Sequence, residues 1–166
     1  MKKLLAIAMV AGMLSGLYGA SLGLGARYDN IAGPEGTDPF FGIRADMLVK
    51  PWPVIGLRMG LVQIDFPEDA SLYFIGTGVG ADILVFIPLQ AMLKPYLVTG
   101  IWYKSLQESY SDIILKAGLG AEVPFGPLSG YLEGTFNLDA LTPEGMDGTT
   151  DTWFDVQGGI RIPLKF

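Results

Sequence analysis

Neither cysteine nor histidine occurs in this chain. Without cysteine there is no disulfide and no lipid-modified thiol behind an N-terminal apolar segment, so a lipoprotein anchor is excluded. Without histidine there is no His-based catalytic triad and no imidazole metal site. Long apolar runs are also missing beyond the N-terminus, although half of the 166 residues are hydrophobic and the mean hydropathy is +0.40. A helical membrane protein needs about 18 or more consecutive apolar residues per span, so that class is excluded too. A helical period of 3.6 does not persist anywhere. Basic residues are in the minority, with 11 Lys and Arg against 17 Asp and Glu. That balance, with no basic patch, argues against nucleic-acid binding. No phosphate-binding loop or nucleotide motif is present.

What the chain does contain begins with a short apolar stretch. Lys2 and Lys3 precede Leu4 to Leu14, small residues follow, and Gly19-Ala20-Ser21 fits a small-x-small cleavage site. Residues 1–21 therefore read as a secretory signal peptide, with 22–166 as one domain. An uncleaved inner-membrane anchor is the alternative. Loss of the two lysines takes the formal net charge from −6 to −8.

From there the pattern has a period of two, the mark of a strand with two unlike faces. Eight segments carry it: roughly 21–30, 40–50, 54–66, 72–87, 94–106, 113–125, 128–141 and 152–166. The last is the clearest. Phe154, Val156, Gly158, Ile160, Ile162, Leu164 and Phe166 share one parity, while Asp155, Gln157, Gly159, Arg161, Pro163 and Lys165 take the other. At about 3.3 Å per residue and a tilt of about 40°, the run from Phe154 to Phe166 rises roughly 30 Å. In the third segment the parity slips, putting Gln63 and Asp65 on the apolar side. A bulge or an early strand end would account for that.

Connections alternate in character. Lys50-Pro51-Trp52-Pro53, Pro88 to Pro95 and Pro124 to Pro127 are tight and proline-marked, whereas 31–39, 67–71, 107–112 and 142–151 are acidic. Eight strands with alternately short and long connections predict an all-β, closed, antiparallel up-and-down barrel with both termini at the short-turn end.

The final segment resembles the C-terminal strand of bacterial outer-membrane β-barrels, with Gln157, Gly159, Ile162, Leu164 and the terminal Phe166 in the pattern that the barrel-assembly machinery reads in that family. Pro163 departs from it by removing one ladder donor. As a whole the chain resembles the small OmpA-barrel and OmpX-like proteins, with OmpW-like barrels as second choice. The resemblance implies an outer-membrane location with periplasmic termini, outer-membrane lipids around the barrel, a monomer and no cofactor.

Two sets of residues follow. Arg27, Arg44, Asp46, Arg58, Asp82, Lys104, Lys116, Glu122, Glu133, Asp139, Asp155 and Arg161 share the glycine-rich face. If that face points inward, these twelve must pair, since an unpaired charge in so narrow a lumen is costly. Tyr96, Trp102 and Tyr131 would fill the lumen further. Tyr28, Phe41, Tyr73, Tyr103 and Phe154 near the loop ends, with Phe125 and Phe166 near the turn ends, form a candidate aromatic girdle at the two membrane interfaces.

Function is then expected to be structural or surface-interacting and non-enzymatic. A narrow channel for small or hydrophobic molecules is the first alternative, and a soluble lipocalin-like carrier, apolar inside, is the second. Barrel enzymes such as omptin-type proteases and the lipid A palmitoyltransferase would require a histidine. The acidic connections, with Asp29 at the outer end of the first segment counted among their carboxylates, suit a solvated rim or divalent-cation binding, although Asp147 to Asp151 lacks the ligand spacing of an EF-hand.

Overall fold

In the computed structural model, the described residues are 18–33, 36–66, 77–89, 92–106, 110–139 and 152–164. They form eight strands: β1 (Gly19–Gly33), β2 (Gly36–Trp52), β3 (Ile55–Phe66), β4 (Thr77–Phe86), β5 (Lys94–Leu106), β6 (Tyr110–Phe125), β7 (Leu128–Asp139) and β8 (Thr152–Leu164). Each pairs antiparallel with its neighbours in sequence, and β1 pairs with β8 to close the barrel. Every strand thus has a paired neighbour on both sides, the arrangement by which an all-β membrane protein satisfies its backbone in lipid.

The faces follow from side-chain parity. Leu24, Ile43, Leu57, Ile83, Leu97, Ile101, Leu119, Leu132 and Phe136 are exposed on the outside. Arg44, Asp46, Arg58, Asp82, Lys116, Glu122, Glu133, Asp155 and Arg161 are buried inside. A lipocalin-like carrier needs the reverse, so this chain is not built as one.

The parity slip in β3 is a bulge. Ala45 pairs with Val62 and Asp46 with Gly60, leaving Leu61 as the extra residue. Leu61 and Val62 both face outward as a result, and Gln63 returns to the buried face.

At the turn end, Phe125 pairs with Leu128 across the two-residue turn Gly126-Pro127. Gly126 has φ 58°, the sign that a type II′ hairpin requires at its first central position. A side chain added there meets nothing within 4 Å. Gly126→Ala therefore tests backbone conformation alone, and we expect a loss of about 1 kcal/mol in unfolding free energy from denaturant titration of the refolded barrel.

Several boundaries differ from the sequence reading. β1 begins at Gly19, two residues before the first segment read from the sequence, and Gly19, Ala20 and Ser21 pair with Lys50, Val49 and Leu48. Residues 31–39, read as a loop, are largely ladder, since pairing runs on to Gly33 opposite Gly36. Likewise β5 and β6 continue to Leu106 opposite Tyr110, within the expected loop 107–112. A backbone ladder needs no apolar side chain, so polar sequence did not stop it. The expected loops 67–71 and 142–151 lie outside the described residues, as do residues 1–17, 72–76, 140–141 and 165–166.

Candidate functional site: the barrel lumen

Three aromatic side chains set the lumen's internal shape, each resting on a glycine of another strand. Trp102 of β5 lies across Gly60 and Gly80, Tyr96 covers Gly120, and the hydroxyl of Tyr131 covers Gly25. A Cβ at any of these glycines would overlap the ring or hydroxyl above it. These four glycines thus make room for aromatic groups rather than leaving a channel.

At mid-height lies a compact charge cluster. Arg58 donates from two nitrogens to the two oxygens of Glu133, at 2.7 and 2.8 Å, and from Nε to Asp82 Oδ2 at 2.7 Å. This is the forked geometry in which Arg–carboxylate pairs are strongest. Asp82 also accepts from Arg44 at 3.1 Å and from Trp102 Nε1 at 2.7 Å, and Lys116 Nζ stands 3.2 Å away. Glu133 accepts from the Tyr96 hydroxyl at 3.1 Å and from the Gln157 amide, with Lys116 at 3.6 Å. Gln157 in turn accepts from Arg44 at 3.2 Å. Strands β2, β3, β4, β5, β6, β7 and β8 each contribute a side chain, so the cluster ties the barrel across its diameter as well as around its wall.

Toward the turn end the contacts lengthen. Arg161 is 3.3 Å from Asp46 and 3.9 Å from Glu122, and Lys50 is 3.7 Å from Glu122. Ser129 donates to Glu122 at 2.6 Å. Arg161 also faces the Tyr131 ring at 4.4 Å and Lys50 the Phe86 ring at 3.9 Å. Beside them Leu48, Leu84, Phe86, Tyr96 and Val98 form a buried apolar cluster. Toward the loop end, Arg27 pairs closely with Asp29 and stands 3.6 Å from Asp155.

Of the twelve charges expected in the lumen, Arg27, Arg44, Asp46, Arg58, Asp82, Lys116, Glu122, Glu133, Asp155 and Arg161 are brought together in this way. The side chains of Lys104 and Asp139 lie outside the described residues. Asp29 and Lys50 join the network. The sequence reading had placed Asp29 at the outer rim and Lys50 in a turn, although Asp29 shares the parity of Arg27 and Lys50 that of Arg44. The apolar cluster was also missed. Its signal was available: Leu84 and Phe86 carry the inward parity of Asp82, and Val98 that of Trp102.

The girdle candidates Tyr28, Phe41, Tyr103, Phe154 and Phe125 all face outward. Tyr28 and Phe41 pack with ring centroids 5.1 Å apart, and Phe154 packs on Phe136 at 5.8 Å. Tyr73 and Phe166 lie outside the described residues. Of the terminal-strand pattern, Gln157 is buried in the lumen and Ile162 is exposed on the outer wall, while Gly159 faces the close-set backbone of Leu24 and Gly25.

A water-wide channel would leave its lining accessible, yet Arg58 and Leu84 are each 0% exposed, and Asp82 and Glu133 each 1%. Among the described residues the lumen is therefore closed at mid-height. Cavities remain on either side of this barrier. One of about 30 Å³ at the loop end is lined by Arg27, Asp29, Asn137, Trp153 and Asp155 over Trp102. An open basin of about 280 Å³ at the turn end is bordered by Lys50, Glu122, Ser129 and Arg161.

An apolar exterior, a charge-paired interior and full closure define a small eight-stranded antiparallel barrel, the fold of transmembrane β-barrel proteins. The chain is similar to the crystal structure of Neisserial surface protein A (NspA), with a TM-score of 0.68 and 15% identity over 89% of this chain and 98% of that one. It is also similar to the de novo designed barrel TMB2.3 solved by solution NMR, at a TM-score of 0.50 and 13% identity over 91% and 98% of the two chains. A further de novo designed transmembrane β-barrel matches at 0.50 and 13% over 87% and 95%. No protein-family model matches the sequence, and no curated protein does.

Proposed function

We propose that this chain is an outer-membrane protein with a structural or surface-interaction role, non-enzymatic, with its termini in the periplasm and its acidic connections presented outward. The observation that carries this reading is the pairing of an apolar outer wall with a closed, charge-paired core. Such a wall needs lipid, and such a core offers no passage, so interaction with the surroundings falls to the loop end. Absence of histidine removes the catalytic chemistry of the known barrel enzymes. Phe166 and the strand before it serve recognition by the barrel-assembly machinery.

Two measurements test this. Cell fractionation should recover the protein with the outer membrane and release it only with detergent; recovery in the soluble periplasm refutes the reading. In planar bilayers the refolded barrel should show no steady conductance. Steady single-channel currents that change on substitution of Arg58 or Glu133 would instead establish the narrow-channel alternative.

A further inference from the structure

The loop-end cavity is built around hydrogen-bonding groups that the barrel itself does not satisfy. Asn137 of β7 and Trp153 of β8 are direct cross-strand partners, and Asp155 lies two residues further along β8 on the same face. Asn137 and Asp155 are only 4% and 3% exposed. Among the described residues, Asn137 Nδ2, Trp153 Nε1 and Asp155 Oδ1 have no hydrogen-bond partner, and all three residues line the cavity. The walls of one small, partly open space thus carry two donors and one acceptor without partners, while buried polar groups are almost always paired.

The fit is narrow. About 30 Å³ admits two or three waters or a single small functional group. Its surroundings are balanced in charge: Arg27, Arg44 and Lys116 on one side, Asp29 and Asp155 with the Asp82 carboxylate below on the other. The Trp102 indole and Ile114 supply apolar wall. Such a site favours a group that is neutral overall and carries an acceptor and a donor together.

We propose that this cavity is a binding subsite for a small neutral amide group. The amide oxygen accepts from Asn137 Nδ2 and Trp153 Nε1, and the amide N–H donates to Asp155 Oδ1. A carboxylate would present a second acceptor to Asp155, and an ammonium would leave both donors unmet.

The chain contains three tryptophans. Trp102 and Trp153 line the cavity, whereas Trp52 lies exposed at the turn end. A Trp52→Phe barrel refolded in detergent therefore reports on the site through its own emission. Titration with acetamide should give a saturable change in emission. Sodium acetate and methylammonium chloride at matched ionic strength should need at least about tenfold more to reach the same response, as expected for the loss of a hydrogen bond within a buried site. Asn137→Leu should weaken the acetamide response by about tenfold or more, without lowering the melting temperature, because the donor it removes has no partner among the described residues.

A linear, non-saturating response to acetamide overturns the proposal and leaves a water-filled cavity. Equal potency of acetate or methylammonium overturns it in favour of an ion site. A fall in the melting temperature of Asn137→Leu with an unchanged acetamide response assigns Asn137 to structure and also overturns it. These readouts depend on the fold alone and stand whatever membrane the barrel occupies.

Discussion

Arg58→Ala lowers the unfolding free energy of the refolded barrel by about 3–5 kcal/mol, the range for removing one partner of a buried pair. Its guanidinium is fully buried and donates to Asp82 at 2.7 Å and to the two oxygens of Glu133 at 2.7 and 2.8 Å. Removal leaves Glu133 with the Tyr96 hydroxyl, the Gln157 amide and Lys116 at 3.6 Å. None of these replaces a two-pronged charged contact. Lys116 still offsets part of the carboxylate charge, which keeps the loss within this range. Denaturant titration in detergent measures it, and a loss below about 1 kcal/mol shows that water enters the core and solvates Glu133.

Comparison within the cluster sharpens the test. Arg44→Ala costs less than Arg58→Ala, because Asp82 keeps Arg58, Lys116 and Trp102 Nε1 after Arg44 is gone. Replacing both Arg58 and Glu133 by Met and Leu recovers much of the single-variant loss, since it removes two desolvated charges together. The three variants thus separate the cost of an orphaned carboxylate from the loss of packing volume.

The same cluster shows how much of this protein is legible in its sequence. Alternation fixes the two faces because a strand's side chains must alternate, and the exclusion of charge from lipid fixes which face is inside. The slip at Gln63 signals an irregularity in β3, and the backbone pairing then identifies it as a bulge at Leu61. What alternation does not reveal is depth along the lumen. Leu48, Leu84, Phe86 and Val98 share the inward parity of the charged residues, and only the stagger between strands gathers them into one apolar cluster. Asp29 looks like part of an acidic rim until the ladder from β1 to β2 is seen to continue well past it. Strand ends in such a barrel are set by backbone pairing, on which side-chain polarity carries little information. The choice among partners is equally hidden. Sequence places Arg58 and Glu133 on inward faces of β3 and β7, but their meeting depends on the barrel's diameter and shear.

Gly80→Ala lowers stability by roughly 1–3 kcal/mol, the cost of forcing extra volume into a packed interior. A methyl group there overlaps the Trp102 indole, which lies across both Gly60 and Gly80. The ring has little freedom to withdraw. Its Nε1 is tied to Asp82 Oδ1 at 2.7 Å, and the Arg44 guanidinium stands 4.0 Å from its centre. Lys116 approaches the same ring at 5.3 Å. Relief must therefore come from bending the wall or breaking the Asp82 hydrogen bond, and both are costly in a closed sheet. Trp102→Phe shortens the ring and removes the tether, so alone it loses packing and a charge-assisted hydrogen bond. Combined with Gly80→Ala it regains contact with the new methyl group. The double variant is then more stable than the sum of the single losses implies, by at least about 1 kcal/mol, as for residues in direct contact. Denaturant titrations of the four barrels provide the cycle. Strict additivity would place the indole away from Gly80 and dismiss the glycine shelf as the reason for small residues on the inner face of β3 and β4.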